Sequence, residues 1–170
     1  KSSGKFINVD ELISIAGTDS ARYFLFRETP FGQDGDFSEY ALKERHNNEL
    51  ADKLGNLISR VSTLAEKYGL EEAEPIEIKP ILKKVEFHFN NLELDKVLNK
   101  IFAFIDFLNE YIQSKKPWET KDKKVLWQLC NAIKDIAVLL SPFIPKTSEK
   151  ISKILNFDIS LESIKKSLKI

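Results

Sequence analysis

Between residues 94 and 112, Leu94, Val97, Leu98, Ile101, Ile105, Leu108 and Ile112 recur at steps of three and four. Side chains at those steps share one face of an α-helix, so the stretch can bury its apolar groups only as a helix packed against other helices. The same spacing links Leu50, Leu54, Leu57, Val61 and Leu64, and again Val125, Leu126, Leu129, Ile133 and Ile136. Each run ends at a breaker. Tyr68-Gly69 closes the first, with Gly69 suited to the left-handed position after a helix; Lys115-Lys116-Pro117-Trp118 closes the second; Pro142 and Pro145 close the third. Long amphipathic helices joined by short breaks predict an all-α, up-and-down helical bundle.

Weaker signals fill in the remainder. A loop with Pro75 and Pro80 leads to a helix over 81–90, and shorter helices follow over 146–155 and 161–168. Upstream, a basic Ser/Gly loop precedes a short helix over 10–15 and a second from Thr18 or Asp19 to Glu28. Asp19 is placed to start that second helix, where its carboxylate would satisfy free backbone N–H groups and the positive end of the dipole. Pro30, Gly32 and Gly35 then break regularity, and Ser38 is the expected cap of one long helix reaching to about Lys67.

A chain of 170 residues can bury a sizeable core in one domain. Its 26 Lys and Arg offset 26 Asp and Glu, so a nucleic-acid partner would require a local cluster of positive charge and not an overall one. Cys130 is the sole cysteine, which excludes an intramolecular disulfide and a cysteine-rich zinc site and fits a reducing, cytoplasmic location. The longest apolar run, residues 136–140, is too short to span a bilayer. The chain contains no Met and opens on Lys1-Ser2-Ser3-Gly4-Lys5, so it is expected to be a fragment of a longer protein.

Catalytic patterns are sparse. His46 and His88 lie on different expected helices, no serine sits in a nucleophile elbow, and no Gly-rich phosphate loop opens a helix after a strand. Asp34 and Asp36 lack the further oxygen ligands of a calcium loop and are expected to shape a turn. Asn56 and Arg60 are more informative. Projected at 100° per residue, they lie on the polar flank of their helix beside Lys53, one turn apart, where an amide and a guanidinium could present several donors and one acceptor to a base edge. A solvated face with a capping or salt-bridging arginine satisfies the same spacing. Trp118, after Pro117, could plug the loop onto the core or serve as a stacking platform, with Lys115, Lys116, Lys121, Lys123 and Lys124 around it for phosphates. Trp127 falls within a helix and is expected to pack at the core or its boundary.

These residues also carry a family resemblance. Lys1-Ser2 looks like the last two positions of the KMSKS signature of class I aminoacyl-tRNA synthetases, and SGKFINVDELI and GTDSARYFLFRETPFGQDGDFS resemble the methionyl-tRNA synthetase family. LGNLISR, KKPW and LLSPFIPKTSEKI continue the match, so the resemblance covers most of the chain. Residues 1–38 would then form a small α/β connecting unit, with short strands near Phe6-Ile7 and Phe37, and 39–170 a helical-bundle anticodon-binding domain. By the same resemblance, Asn56 and Arg60 would hydrogen-bond the anticodon, chiefly its wobble cytosine, and Trp118 would stack on that base. Lys53, Lys115, Lys116 and Lys121 are the phosphate-contact candidates.

The resemblance implies a partner, the anticodon stem-loop of tRNA(Met) with its CAU anticodon, and a catalytic domain of the same chain that is missing here. Lys1 and Ser2 would be the remnant of a mobile loop that stabilises ATP phosphates. ATP and Mg are the implied cofactors of the parent enzyme, with a structural Zn in its missing catalytic part as an option; none is expected in this fragment, which should not aminoacylate alone. No membrane partner is expected. Valyl, leucyl, isoleucyl and cysteinyl synthetases share the bundle, and a helical protein-interaction module with no RNA role is the alternative from another class.

Overall fold

The computed structural model describes residues 8–30, 32, 37–157 and 159, and among these there is no strand. Helix α1 (Val9–Glu28) starts at Asn8, whose side chain accepts the Glu11 N–H. Gly17 breaks it with φ 78°, a value that favours glycine, so the two expected short helices stand end to end across a kink. Ser38 caps α2 (Glu39–Arg45) as its sequence position predicts, accepting the Ala41 N–H at 3.3 Å. Phe37, expected near a strand, lies in none; its ring packs edge-on against Phe24 at 5.9 Å. The expected strand at Phe6-Ile7, the Asp34 and Asp36 turn and the helix over 161–168 lie outside the described residues.

The expected single helix up to Lys67 is not uniformly α. Residues His46–Gly55 form a π segment, in which each N–H reaches back five residues instead of four, before α3 (Asn56–Tyr68) resumes the ordinary pattern. A π turn superimposes residues i and i+5. That brings both Glu49 and Leu54 inward, with exposures of 9% and 1%, where a 100° projection would separate them. Gly55 suits the tight geometry, because a Cβ there would lie 3.2 Å from the Leu50 carbonyl oxygen.

The rest follows the periodicity. Gly69, φ 81°, ends α3 and donates to Ala65 O. Helices α4 (Lys79–Asn90), α5 (Leu94–Lys115), α6 (Pro117–Thr120), α7 (Lys123–Leu140) and α8 (Pro145–Ile154) follow. Asp122 caps α7 through the Lys124 and Val125 N–H groups. The core is built from Leu57 and Val61 of α3, Leu98, Ile101, Ile105 and Leu108 of α5, and Leu129 and Ile133 of α7, each with no measurable exposure. The π segment with α3 runs in the same direction as α5 with α6, as the pairs Lys53 with Asp106 and Arg60 with Trp118 require.

The segments GTDSAR and SPFIPKT meet in space. Arg22 donates to the carbonyls of Pro142 and Phe143, and the Asp19 carboxylate accepts the Thr147 N–H at 2.6 Å. Asp19 therefore caps the start of α8 and not the helix it belongs to, a correction that only the folded packing supplies. α1 is fastened across the turn between α7 and α8. A second apolar cluster, Leu12, Ala21, Phe24 and Leu42 with Phe37 against it, ties α1 to α2.

Candidate nucleic-acid interface

Asn56 is the first residue of α3, directly after the π segment, and its backbone N–H donates to Ala51 O. Its side chain is exposed and makes no hydrogen bond to another described residue. Arg60 follows one turn later on the same helix, half-buried, with its guanidinium carbon 5.5 Å from the Trp118 ring centroid. No carboxylate among the described residues pairs with it. Its guanidinium meets no acceptor among the described residues and lies beside an aromatic face.

Trp118 stands between the core and an open surface. It is half-buried and packs against the core, yet it also lines an open recess of about 410 Å³ with Ser59, Arg60, Thr63, Leu64 and Gln113. The single turn that carries it, α6, is bracketed by Lys116 and Lys121, both in the left-handed region with φ 45° and 54°. That conformation costs roughly 1–2 kcal/mol for a residue with a Cβ. Buried Pro117 and the hydrogen bonds of Glu119, Thr120 and Lys121 N–H to Lys116 O and Pro117 O hold the turn in place.

The four phosphate-contact candidates do not stand alike. Lys53 is committed to Asp106 at 2.8 Å, an exposed pair worth little in water and open to exchange. Lys116 lies 3.5 Å from Glu119, and Lys115 rests over the Tyr111 ring at 5.5 Å. Lys121 is exposed with no ion pair among the described residues. Lys115, Lys116 and Lys121 thus flank the Trp118 turn, while Lys53 lies on the π segment and does not line the Trp118 recess. Lys1 and Ser2 lie outside the described residues.

Sequence reasoning missed the groups that position the segment leading into Asn56 and Arg60. Asn109 donates to the Lys53 carbonyl at 3.1 Å and ties α5 to the π segment. Glu49, on that segment, is buried among Tyr23 and Arg27 of α1 and Arg45 of α2. Arg27 holds it bidentately at 3.0 and 3.1 Å, Arg45 donates at 3.1 Å, and the Tyr23 hydroxyl donates as well. Burial pushes the Glu49 carboxyl up, but hydrogen bonds from Arg27 and Tyr23 and the charges of Arg27 and Arg45 outweigh it, leaving it below the usual carboxylate range. Burial and the Glu49 hydrogen bond push the Tyr23 phenol well above its ordinary value. Only the five-residue offset from Glu49 to Leu54 hinted at this in the sequence.

Among the described residues no three His, Cys, Asp or Glu side chains gather as a metal site, and no helix is long and apolar enough to cross a membrane. His46 meets only Ser20, and His88 meets Glu93. What the surface offers is an aromatic ring, free amide and guanidinium donors, and lysines nearby. That set suits a single-stranded base and its phosphates.

Comparison with known proteins points the same way. Residues 1–62 match the family model for tRNA synthetases class I (M), and residues 76–169 match that for the anticodon-binding domain of tRNA ligase. The methionine–tRNA ligase of Clostridium tetani is 38% identical over 94% of this chain, and that of Helicobacter pylori 33% over 99%. The chain spans only 28% and 29% of those two relatives. A crystal structure of Mycobacterium tuberculosis methionyl-tRNA synthetase bound by methionyl-adenylate superposes with a TM-score of 0.86 at 27% identity, over 96% of this chain and 37% of that one.

Proposed function

The chain belongs to the anticodon-binding domain family of tRNA ligases, and from that premise we propose that it reads the CAU anticodon of a methionine tRNA as part of a methionine–tRNA ligase. The observation that carries the reading is the juxtaposition of Arg60 and Trp118 at the recess, with the Asn56 side chain one turn away and without a hydrogen bond to a described residue. A cytosine edge presents an amino donor beside two acceptors. The Asn56 amide oxygen suits the donor and the Arg60 guanidinium suits the acceptors, whereas uracil presents an acceptor and a donor in place of the amino group and ring nitrogen.

The energetics favour entry of the base. A cation over an exposed ring is worth about 0.5–1 kcal/mol, and a base stacked on an aromatic about 1–3 kcal/mol. A base can therefore take the Trp118 face and leave Arg60 at its edge, where charge-assisted hydrogen bonds replace the lost stacking. Lys115, Lys116 and Lys121 then meet the flanking phosphates, and Lys53 can exchange Asp106 for a phosphate. In this reading residues 1–38 join the bundle, 39–170, to a catalytic part of the parent enzyme. That part uses ATP and Mg to attach methionine to the tRNA, and this chain does not aminoacylate alone.

The test is binding of a CAU anticodon stem-loop, and of the same stem-loop with the wobble base changed, to the 170-residue chain. Trp118→Ala should lower affinity for the CAU loop by about 1–3 kcal/mol, and added salt should weaken binding of the parent sequence. Equal affinity for both loops, or no effect of Trp118→Ala and Arg60→Ala together, would remove the assignment.

A further inference from the structure

We propose that Glu49 is a positioning residue for the base-reading face: its buried carboxylate holds the π segment to α1, and so sets the direction in which Asn56 and Arg60 leave α3. The inference rests on the reading of those two residues given above. Glu49 touches no part of the recess. It acts through the helix that carries the reader.

Three observations support it. The π segment ends at Gly55, and Asn56 is the next residue, so any change in the number of residues per turn rotates the reader directly. A shift from five-residue to four-residue hydrogen bonding would turn α3 relative to α2 and aim Asn56 and Arg60 elsewhere. Next, the segment is pinned from two sides. Lys53 carries contacts to α5, through its carbonyl to Asn109 and its ammonium to Asp106; Glu49 carries the ion pairs to α1 and α2, beside the His46 contact to Ser20 and the Asn48 contact to Glu44. Finally, the Glu49 site is complete: both carboxylate oxygens accept two hydrogen bonds each, from three side chains on two helices. Arg45 extends the network to Glu28 at 3.1 Å. Arg27, Arg45 and Tyr23 take up its acceptor capacity and offset its burial, so the carboxylate serves to hold these elements together.

The variant that isolates this role is Glu49→Gln, which keeps the shape and removes the charge. Val85→Ala, a truncation in the α4 core away from the joint, serves as the control for lost stability. Two arms are read. In the first, the ratio of affinities for the CAU stem-loop and its wobble-changed counterpart should fall about tenfold in Glu49→Gln and hold in Val85→Ala, since displacement of a contact by about 1 Å costs up to a hundredfold. In the second, without RNA, amide exchange at Asn56, Leu57 and Ile58 should quicken in Glu49→Gln at least tenfold more than in α7. Should Glu49→Gln fail to fold, Tyr23→Phe removes one of the four hydrogen bonds while keeping the ring against Phe102, and both readouts should move in the same direction.

The proposal is overturned if the affinity ratio of Glu49→Gln equals that of the parent chain, or if exchange rises evenly along α3 and α7. A parent chain that does not distinguish the two loops would instead sink the reading of the anticodon, and the exchange arm alone would then decide the positioning.

Discussion

The joint around Glu49 and the recess beside Trp118 are built from the same kinds of side chain and are left in opposite states. At the joint, two arginines, a tyrosine and a carboxylate close on one another inside the protein. At the recess, an arginine meets only a ring, and an asparagine meets nothing among the described residues. Saturated polar groups hold a structure together; unsaturated ones at the surface are available to a ligand. The difference teaches where binding and stability separate in this bundle, and substitutions in the two regions should divide accordingly.

The largest effect is expected at the joint. Glu49→Ala leaves Arg27 and Tyr23 without their shared acceptor and Arg45 with Glu28 alone, and should lower unfolding stability by about 3–5 kcal/mol in urea titration. A loss below about 1 kcal/mol would mean the network is decorative, and the comparison would collapse. At the recess the pattern should invert. Asn56→Ala should leave stability unchanged within a few tenths of a kcal/mol, because alanine is the better helix former, yet it should cost about 1–3 kcal/mol of discrimination at the wobble base.

A smaller effect separates Glu49 from a second acidic group. Asp135 on α7 is half-buried and accepts no hydrogen bond from a described residue, and burial raises its pKa from 3.8 to about 6 despite the charge of Lys134. Its folded form holds a proton that the unfolded chain has lost, so its contribution falls as pH rises from 3.8 to about 6. Glu49 has the opposite sign: its pKa is lowered from 4.5, so its contribution is present above that pH and is lost as pH falls through the folded value. Asp135→Asn should therefore stabilise the chain at pH 7, by about 1 kcal/mol after allowance for solvent screening, and flatten the decline above pH 4. Thermal unfolding across pH 4–7 checks it; a destabilised variant would indicate a partner for Asp135 that the charge argument omits.

How far each region was legible follows from the range of its interactions. Ser38 and Gly69 act on backbone groups a few residues away, so residue type and position predict their roles, and the apolar periodicity of α5 and α7 predicts their buried faces. Asn56 and Arg60 are legible as a pair because one helical turn separates them. Their meeting with Trp118 depends on α3 and α5 running side by side, which residues alone do not give and the family resemblance supplied. The π segment was barely legible, since the Glu49 carboxylate it turns inward meets partners more than twenty residues upstream. Asp19 misled for the same reason: its free N–H partner belongs to Thr147, on the far side of the chain.

The central claim is that a base of the anticodon stacks on Trp118. With Trp127 replaced by Phe, Trp118 is the sole tryptophan, and its fluorescence reports that contact during titration with the CAU stem-loop. The account predicts saturable quenching by this loop, markedly weaker quenching when the wobble cytosine is replaced by uracil, and loss of the quenching that accompanies binding when Arg60 is also replaced by Ala. Tight binding of the CAU loop with no change in Trp118 emission would contradict it.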